Sequence, residues 1–134
     1  MTFKLRPDPH PTESQEQTGL LRWAALRAVS APELALLHHI PNGGLRHMHT
    51  AIQLKRQGVK PGVPDLHLPV PRGTFHGLYI EMKRRSGGVL SENQRWWIDR
   101  LTEQGYKVVV AYGASEAIRE IESYLSLTGG NRSP

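Results

Sequence analysis

The spacing of apolar residues changes several times along this chain, and each change marks a predicted element. Thr12-Glu13-Ser14-Gln15 has the spacing of a capping box, and Leu20, Leu21, Trp23, Ala24 and Leu26 follow at helical intervals. A first helix is therefore expected from Thr12 onward. Glu13, Gln17, Leu20 and Ala24 fall on one side of it, which puts Glu13 at the N-terminal edge of the buried face. The apolar run 34–40 reads as a short strand ended by the turn signal Pro41-Asn42-Gly43-Gly44. Residues 47–56 predict a short helix closed by Gly58. After the turn Gly62-Val63-Pro64, residues 66–70 read as a strand, and Pro71-Arg72-Gly73 turns the chain into a second strand over 76–82. In that strand Leu78 and Ile80 point one way. Ser91-x-x-Gln94 opens a helix with Gln94, Trp97, Ile98 and Leu101 in one stripe, ended by Gly105. The continuous apolar run 108–112 predicts a strand buried on both faces, and 115–125 a last amphipathic helix. The order is helix, strand, short helix, hairpin, helix, strand, helix, which predicts an α/β fold with a mixed sheet.

Composition narrows the class. The chain of 134 residues suits one domain, expected over 12–127, with an N-terminal arm over 1–11 and a polar C-terminal tail over 128–134. The net charge of +5 favours an anionic partner, and the absence of cysteine excludes disulfides and thiolate metal sites. No apolar run is long enough to span a membrane, and no leader pattern opens the chain, so a cytoplasmic protein with no membrane partner is expected.

Charge then becomes informative by its distribution. Between Leu34 and Ser91 the acidic residues are Asp65 and Glu81 alone, against eight Lys and Arg. The hairpin would bring Asp65, at the start of one strand, back against Glu81, late in the next. Opposed side chains in an antiparallel pair lie ~5 Å apart, close enough to share one cation. Lys83 is two residues beyond Glu81 and therefore on the same sheet face, while Met82 turns its side chain to the core and leaves its carbonyl as a third oxygen ligand. Two hard oxygen donors beside a lysine suit Mg²⁺, with Mn²⁺ as a substitute, working on a phosphodiester. Lys83 would hold the attacking water or neutralise charge on the phosphate.

The run from Gly58 through Pro64, Asp65 and Leu66 resembles the signature of the VRR-NUC family, within the PD-(D/E)xK nuclease superfamily. So do the strand from His76 through Glu81, Met82 and Lys83, the helix opening Leu90-Ser91-Glu92-Asn93-Gln94, and the strand start Gly105-Tyr106-Lys107-Val108. The resemblance covers 13–125 and is closest to the short stand-alone phage and bacterial members. It implies a restriction-endonuclease-like core, a mixed central sheet flanked by helices. It also implies Asp65 and Glu81 as metal ligands, Lys83 as the catalytic lysine and Gln94 as a helix glutamine near the site. The family's first-helix glutamate, placed four residues before a glutamine, selects Glu13, with Glu16 as the substitute.

On this reading the protein is a metal-dependent, structure-selective DNA endonuclease acting inside a bacterial or phage-infected cell. It would act on branched DNA in the manner of a Holliday-junction resolvase, as a homodimer and with no small-molecule cofactor. Asn42, Arg46, Lys55, Arg56, Lys60, Arg84 and Arg85 form the cationic surround expected to meet DNA phosphates. Two other readings are a nucleic-acid-binding module with a vestigial site and a restriction-type nuclease. The pairs His38-His39 and His47-x-His49 have poor spacing for zinc. Trp97 is expected in the core, and Trp96 at its margin, in a subunit contact or against DNA.

Overall fold

A computed structural model describes residues 10–42 and 48–128, with the side chains of Met48 and His49 excepted. The elements run in the order α1 (Glu13–Arg27), a 3₁₀ turn (Pro32–Leu36), β1 (His38–His39), α2 (Met48–Arg56), β2 (Leu66–Leu68), β3 (Leu78–Lys83), α3 (Glu92–Glu103), β4 (Lys107–Tyr112) and α4 (Ala114–Leu125). The strands form one sheet in the order β1-β2-β3-β4. The pairs β1–β2 and β2–β3 are antiparallel and β3–β4 is parallel, so the expected mixed α/β sheet is present.

The period of two divides the sheet into two faces. Leu66, Leu68, Leu78, Ile80 and Met82 are buried on one, where they meet Leu20 and Ala24 of α1 and Ala117, Ile121 and Tyr124 of α4. Each buried Leu or Ile contributes ~1.5–3 kcal/mol relative to exposure, so this layer fixes the register of β2 and β3. On the opposite face His67 stacks on Tyr79 at 4.1 Å, with Tyr106 edge-on to Tyr79 at 5.2 Å. A one-residue slip of β2 would exchange that face with the core and is excluded by burial.

Two expected elements differ. The run 34–40 is a 3₁₀ turn followed by a two-residue strand, not one strand. Pro32 supplies a preset first position, and Leu34 and Leu37 donate N–H bonds to carbonyls three residues back. Leu34 and Leu37 are buried while Leu36 is half exposed, a three-residue spacing that an unbroken apolar run conceals. The strand over 108–112 is also less enclosed than its sequence implies. Only Ala111 is fully buried, because β4 is the last strand of the sheet and Val108–Val110 stay half-buried.

Residues 1–9 of the expected arm, residues 43–47 and residues 129–134 of the tail lie outside the described residues, Arg46 among them. No described helix is long and apolar enough to cross a membrane.

Candidate active site

Asp65 lies one step before β2. Leu66 pairs with Ile80, so one step further out Asp65 comes opposite Glu81. The turn that delivers it depends on Gly62. Its φ of +89° disfavours other residues, and a Cβ there would lie 2.7 Å from the Asn93 main chain at the start of α3. The glycine turn is thus packed against α3, and Trp97 Nε1 holds it by donating to the Pro61 carbonyl at 3.1 Å.

The Met82 N–H donates to Asp65 Oδ2 at 2.8 Å. In an extended strand the N–H and C=O of one residue leave by the same edge. The Met82 carbonyl is therefore directed to the side of β3 where β2 has already ended, while its side chain is buried in the core. Glu81 is 2 % exposed. Its Oε1 accepts from Gln94 Nε2 at 2.8 Å and lies 3.9 Å from Lys83 Nζ, and its Oε2 is buried with no hydrogen-bond donor. Gln94 does two things at once: its Oε1 accepts from the Ser91 N–H as the capping box requires, and its amide nitrogen reaches Glu81.

Burial above all, and then the negative charge of Asp65, push the Glu81 carboxyl up to about 8; the Lys83 ammonium opposes this. Burial also raises Asp65, against the Met82 N–H, which favours its ionised form. Two buried carboxyls facing each other disfavour a charge on both, and a bound cation would relieve that repulsion. Among the described residues no three His, Asp or Glu side chains converge as a metal site by themselves. The donor set that fits a hard divalent cation is Asp65, Glu81 with its donorless Oε2, and the Met82 carbonyl.

The two first-helix acids have separate surroundings. Glu16, not Glu13, is the buried one, which corrects the expected edge of the buried face: the stripe is Glu16, Leu20 and Ala24. Glu16 accepts the N–H of Ala114, the first residue of α4, and pairs with Arg85 at 3.1 Å. Gly113, at φ +97°, makes room for this clamp, since a Cβ there would meet Arg85 Nε at 2.8 Å. Glu13 is exposed, yet it lines a hollow of about 250 Å³ together with Gln17, His39, Asp65 and Met82. Its charge also helps raise Glu81. Glu13→Gln is expected to slow catalysis with little effect on unfolding. Glu16→Ala should lose ~1.5–3 kcal/mol of stability through a broken charge-assisted hydrogen bond. Parallel melting curves and cleavage rates separate them, and a Glu16 variant that folds normally but is inactive would reverse the assignment.

Of the cationic surround, Lys55, Arg56 and Lys60 are exposed, and Arg84 is half-buried. Arg85 is engaged by Glu16, and Asn42 Nδ2 donates to the Val63 carbonyl at 3.4 Å, bracing the loop before Asp65. Trp97 is half-buried rather than core, edge-on to Trp96, which is 52 % exposed. Sequence reasoning missed His39 as a site neighbour. Its Nδ1 bonds the Asp65 carbonyl at 2.8 Å, and since a carbonyl only accepts, Nδ1 carries the proton. The only local signal was its alternation with Ile40 at the end of β1.

A scan of family models matches the VRR-NUC domain over residues 11–115. Among solved structures, one described as a VRR_NUC domain protein is 32% identical, with a TM-score of 0.77, over 90% of this chain and 94% of that one. No curated protein gives a significant match. With the family model spanning α1 to the start of α4 and the fold shared along nearly the whole neighbouring chain, this chain belongs to the VRR-NUC family and carries a nuclease-type domain.

Proposed function

We propose that the protein is a divalent-metal-dependent endonuclease that hydrolyses phosphodiester bonds in branched DNA. The observation that carries this reading is the cluster on one sheet face: Asp65 opposite Glu81, with Lys83 Nζ 3.9 Å from the Glu81 carboxylate and Gln94 holding the same oxygen. Asp65, Glu81 and the Met82 carbonyl would hold Mg²⁺ or Mn²⁺, which when bound supplies Lewis-acid polarisation of a phosphoryl oxygen and lowers the pKa of water. Gln94 fixes the orientation of Glu81, and Lys83 presents a compact positive charge to the water and the phosphate. Glu13 faces the adjoining hollow, where it can accept a hydrogen bond from water.

The wider surface supports a phosphate-bearing partner. Lys55, Arg56 and Lys60 project from α2 and its following turn, all exposed; Lys55 shares a hollow with Pro61, and Lys60 directly precedes the glycine turn that leads to Asp65. Three such contacts predict a log–log salt slope of ~−2.7 on duplex DNA. A small cationic face offers little room for base readout but can follow a bent backbone. One site cuts one strand, and a two-fold pair of sites can address the two symmetric strands of a four-way junction. The full chain with Mg²⁺ is expected to cut four-way and flap substrates in preference to linear duplex on a denaturing gel, and to run as a dimer in light scattering. A monomer cutting all substrates equally would leave a nuclease and remove the resolvase reading. No cutting of any nucleic acid with Mg²⁺ or Mn²⁺ would remove both.

A further inference from the structure

A second hollow, of about 440 Å³, opens between the end of β1, the turn after α2, and α3. Ile40, Val59, Val63 and Trp97 give it apolar walls, and Gln57 and Lys60 stand among its lining as exposed polar groups. Its volume falls in the ~300–1,000 Å³ range of small-ligand sites. Three links tie it to the carboxylates. Val63 is two residues before Asp65, and the Ile40 N–H donates to the Asp65 carbonyl at 2.8 Å. Trp97 follows Gln94 by one turn of α3, and Gln94 is bonded to Glu81. Two residues of chain reach at most ~7 Å, so the hollow adjoins the carboxylates within about the span of one nucleotide.

A phosphate is poorly suited to the interior, because the walls are mainly apolar and Gln57 and Lys60 stand exposed among the lining, where they would meet a phosphate outside. The part of a nucleic acid strand that is flat, apolar on its faces and tethered beside a phosphate is the base. Trp97 is suited to meet it. Its indole N–H is anchored on the Pro61 carbonyl, and Trp96 packs against it at 5.5 Å, so the ring is set before anything binds. Lys60 in the lining, with exposed Lys55 and Arg56 on α2, supplies the complementary charge for the backbone outside the hollow.

We propose that this hollow receives an unpaired nucleobase of the strand whose phosphate lies at Asp65 and Glu81. The proposal rests on the DNA-endonuclease reading and gives it a source of structure selectivity. A base in continuous duplex is stacked and withheld, whereas a base at a flap or branch point is free to enter.

The test is equilibrium binding of the full-length protein, without metal, to a fluorescein-labelled flap duplex. The partner probes are the same flap with abasic tetrahydrofuran residues at its unpaired positions, and a plain duplex. Stacking of one base predicts ~10-fold tighter binding of the base-bearing flap. Val59→Phe, which fills the hollow, should abolish that ratio and leave duplex binding unchanged. Filling the hollow and removing the bases should also give losses that do not add. Trp97→Leu serves as a second variant if Val59→Phe melts early. Wild-type protein indifferent to the abasic change, or losses that add in full, would overturn the proposal. A wild-type protein that cuts flaps with Mg²⁺ but shows no base dependence sinks the hollow alone. One that neither binds nor cuts DNA sinks the endonuclease reading as well.

Discussion

Glu81→Gln should abolish strand cleavage and, in metal-free buffer, make the protein more stable than wild type above pH 8. The two effects have one origin. Glu81 is 2 % exposed, beside Asp65, and its carboxyl is raised from 4.5 to about 8 by burial and then by that neighbouring charge. A group whose folded pKa lies above its unfolded value binds its proton more tightly in the fold. The stability it contributes is complete below the unfolded value near 4.5, and is lost as pH rises through about 8. Linkage over that span corresponds to ~3–5 kcal/mol. Glutamine does not titrate, still accepts the Gln94 amide, and can donate to Asp65, so the variant keeps what the wild type loses. It also lacks the anionic oxygens that a divalent cation needs, and cleavage should fall by at least ~10²–10³, the scale of losing one electrostatic stabiliser. Asp65→Asn should show the same pattern on the other side of the pair. Urea unfolding in EDTA from pH 5 to 9, beside a single-turnover cleavage assay, reads both quantities. A Glu81→Gln enzyme cutting at near wild-type rate, or a stability difference that ignores pH, would remove the carboxylate pair from the mechanism.

What the sequence discloses about this site follows from how local each determinant is. Asp65, Glu81 and Lys83 were legible because strand period and a single hairpin place them, and the intervening chain is only 15 residues long. The side-chain face of Met82 and the inward reach of Gln94 follow from the same short-range rules. Gln94 fills both roles expected of it, since a glutamine has a carbonyl for its own cap and an amide for Glu81. Glu16 could not be read this way. Its burial depends on Ala114, 98 residues away, and on Arg85 folding over Gly113. A carboxylate inside an apolar stripe looks like a pattern error until those donors arrive. Helical phase alone therefore favoured Glu13 for the face that Glu16 occupies. The 3₁₀ turn was hidden for a different reason: Leu34-Ala35-Leu36-Leu37 satisfies any period, and Pro32 was the one residue that argued for a helical start.

Lys83→Ala should leave the fold and the cation site in place while reducing the cleavage rate by ~10²–10³. Lys83 is the last residue of β3 and 7 % exposed, with its carbonyl accepting the Gly113 N–H at 3.1 Å. Gly88 leaves room for its stem, since a Cβ at that glycine would come within 2.9 Å of the Lys83 Cβ. Main chain and stem are thus fixed, and the ammonium is delivered to the Glu81 carboxylate at 3.9 Å, not free to sample solvent. Both partners of this pair are buried, and desolvation offsets most of their attraction, so the proposed role of Lys83 rests on the charge it presents to the water and the phosphate and not on a gain in stability. Lys83→Met, which keeps the stem and removes the charge, controls for packing and should be as slow as the alanine variant. Lys83→Arg should rescue poorly, because a planar fork spreads its charge and cannot occupy the space of a compact ammonium. Calorimetric titration with Mg²⁺ should find binding retained in all three variants. Single-turnover rates at saturating Mg²⁺ then isolate the chemical step, and an alanine variant as fast as wild type would reduce the Glu81-Met82-Lys83 spacing to coincidence.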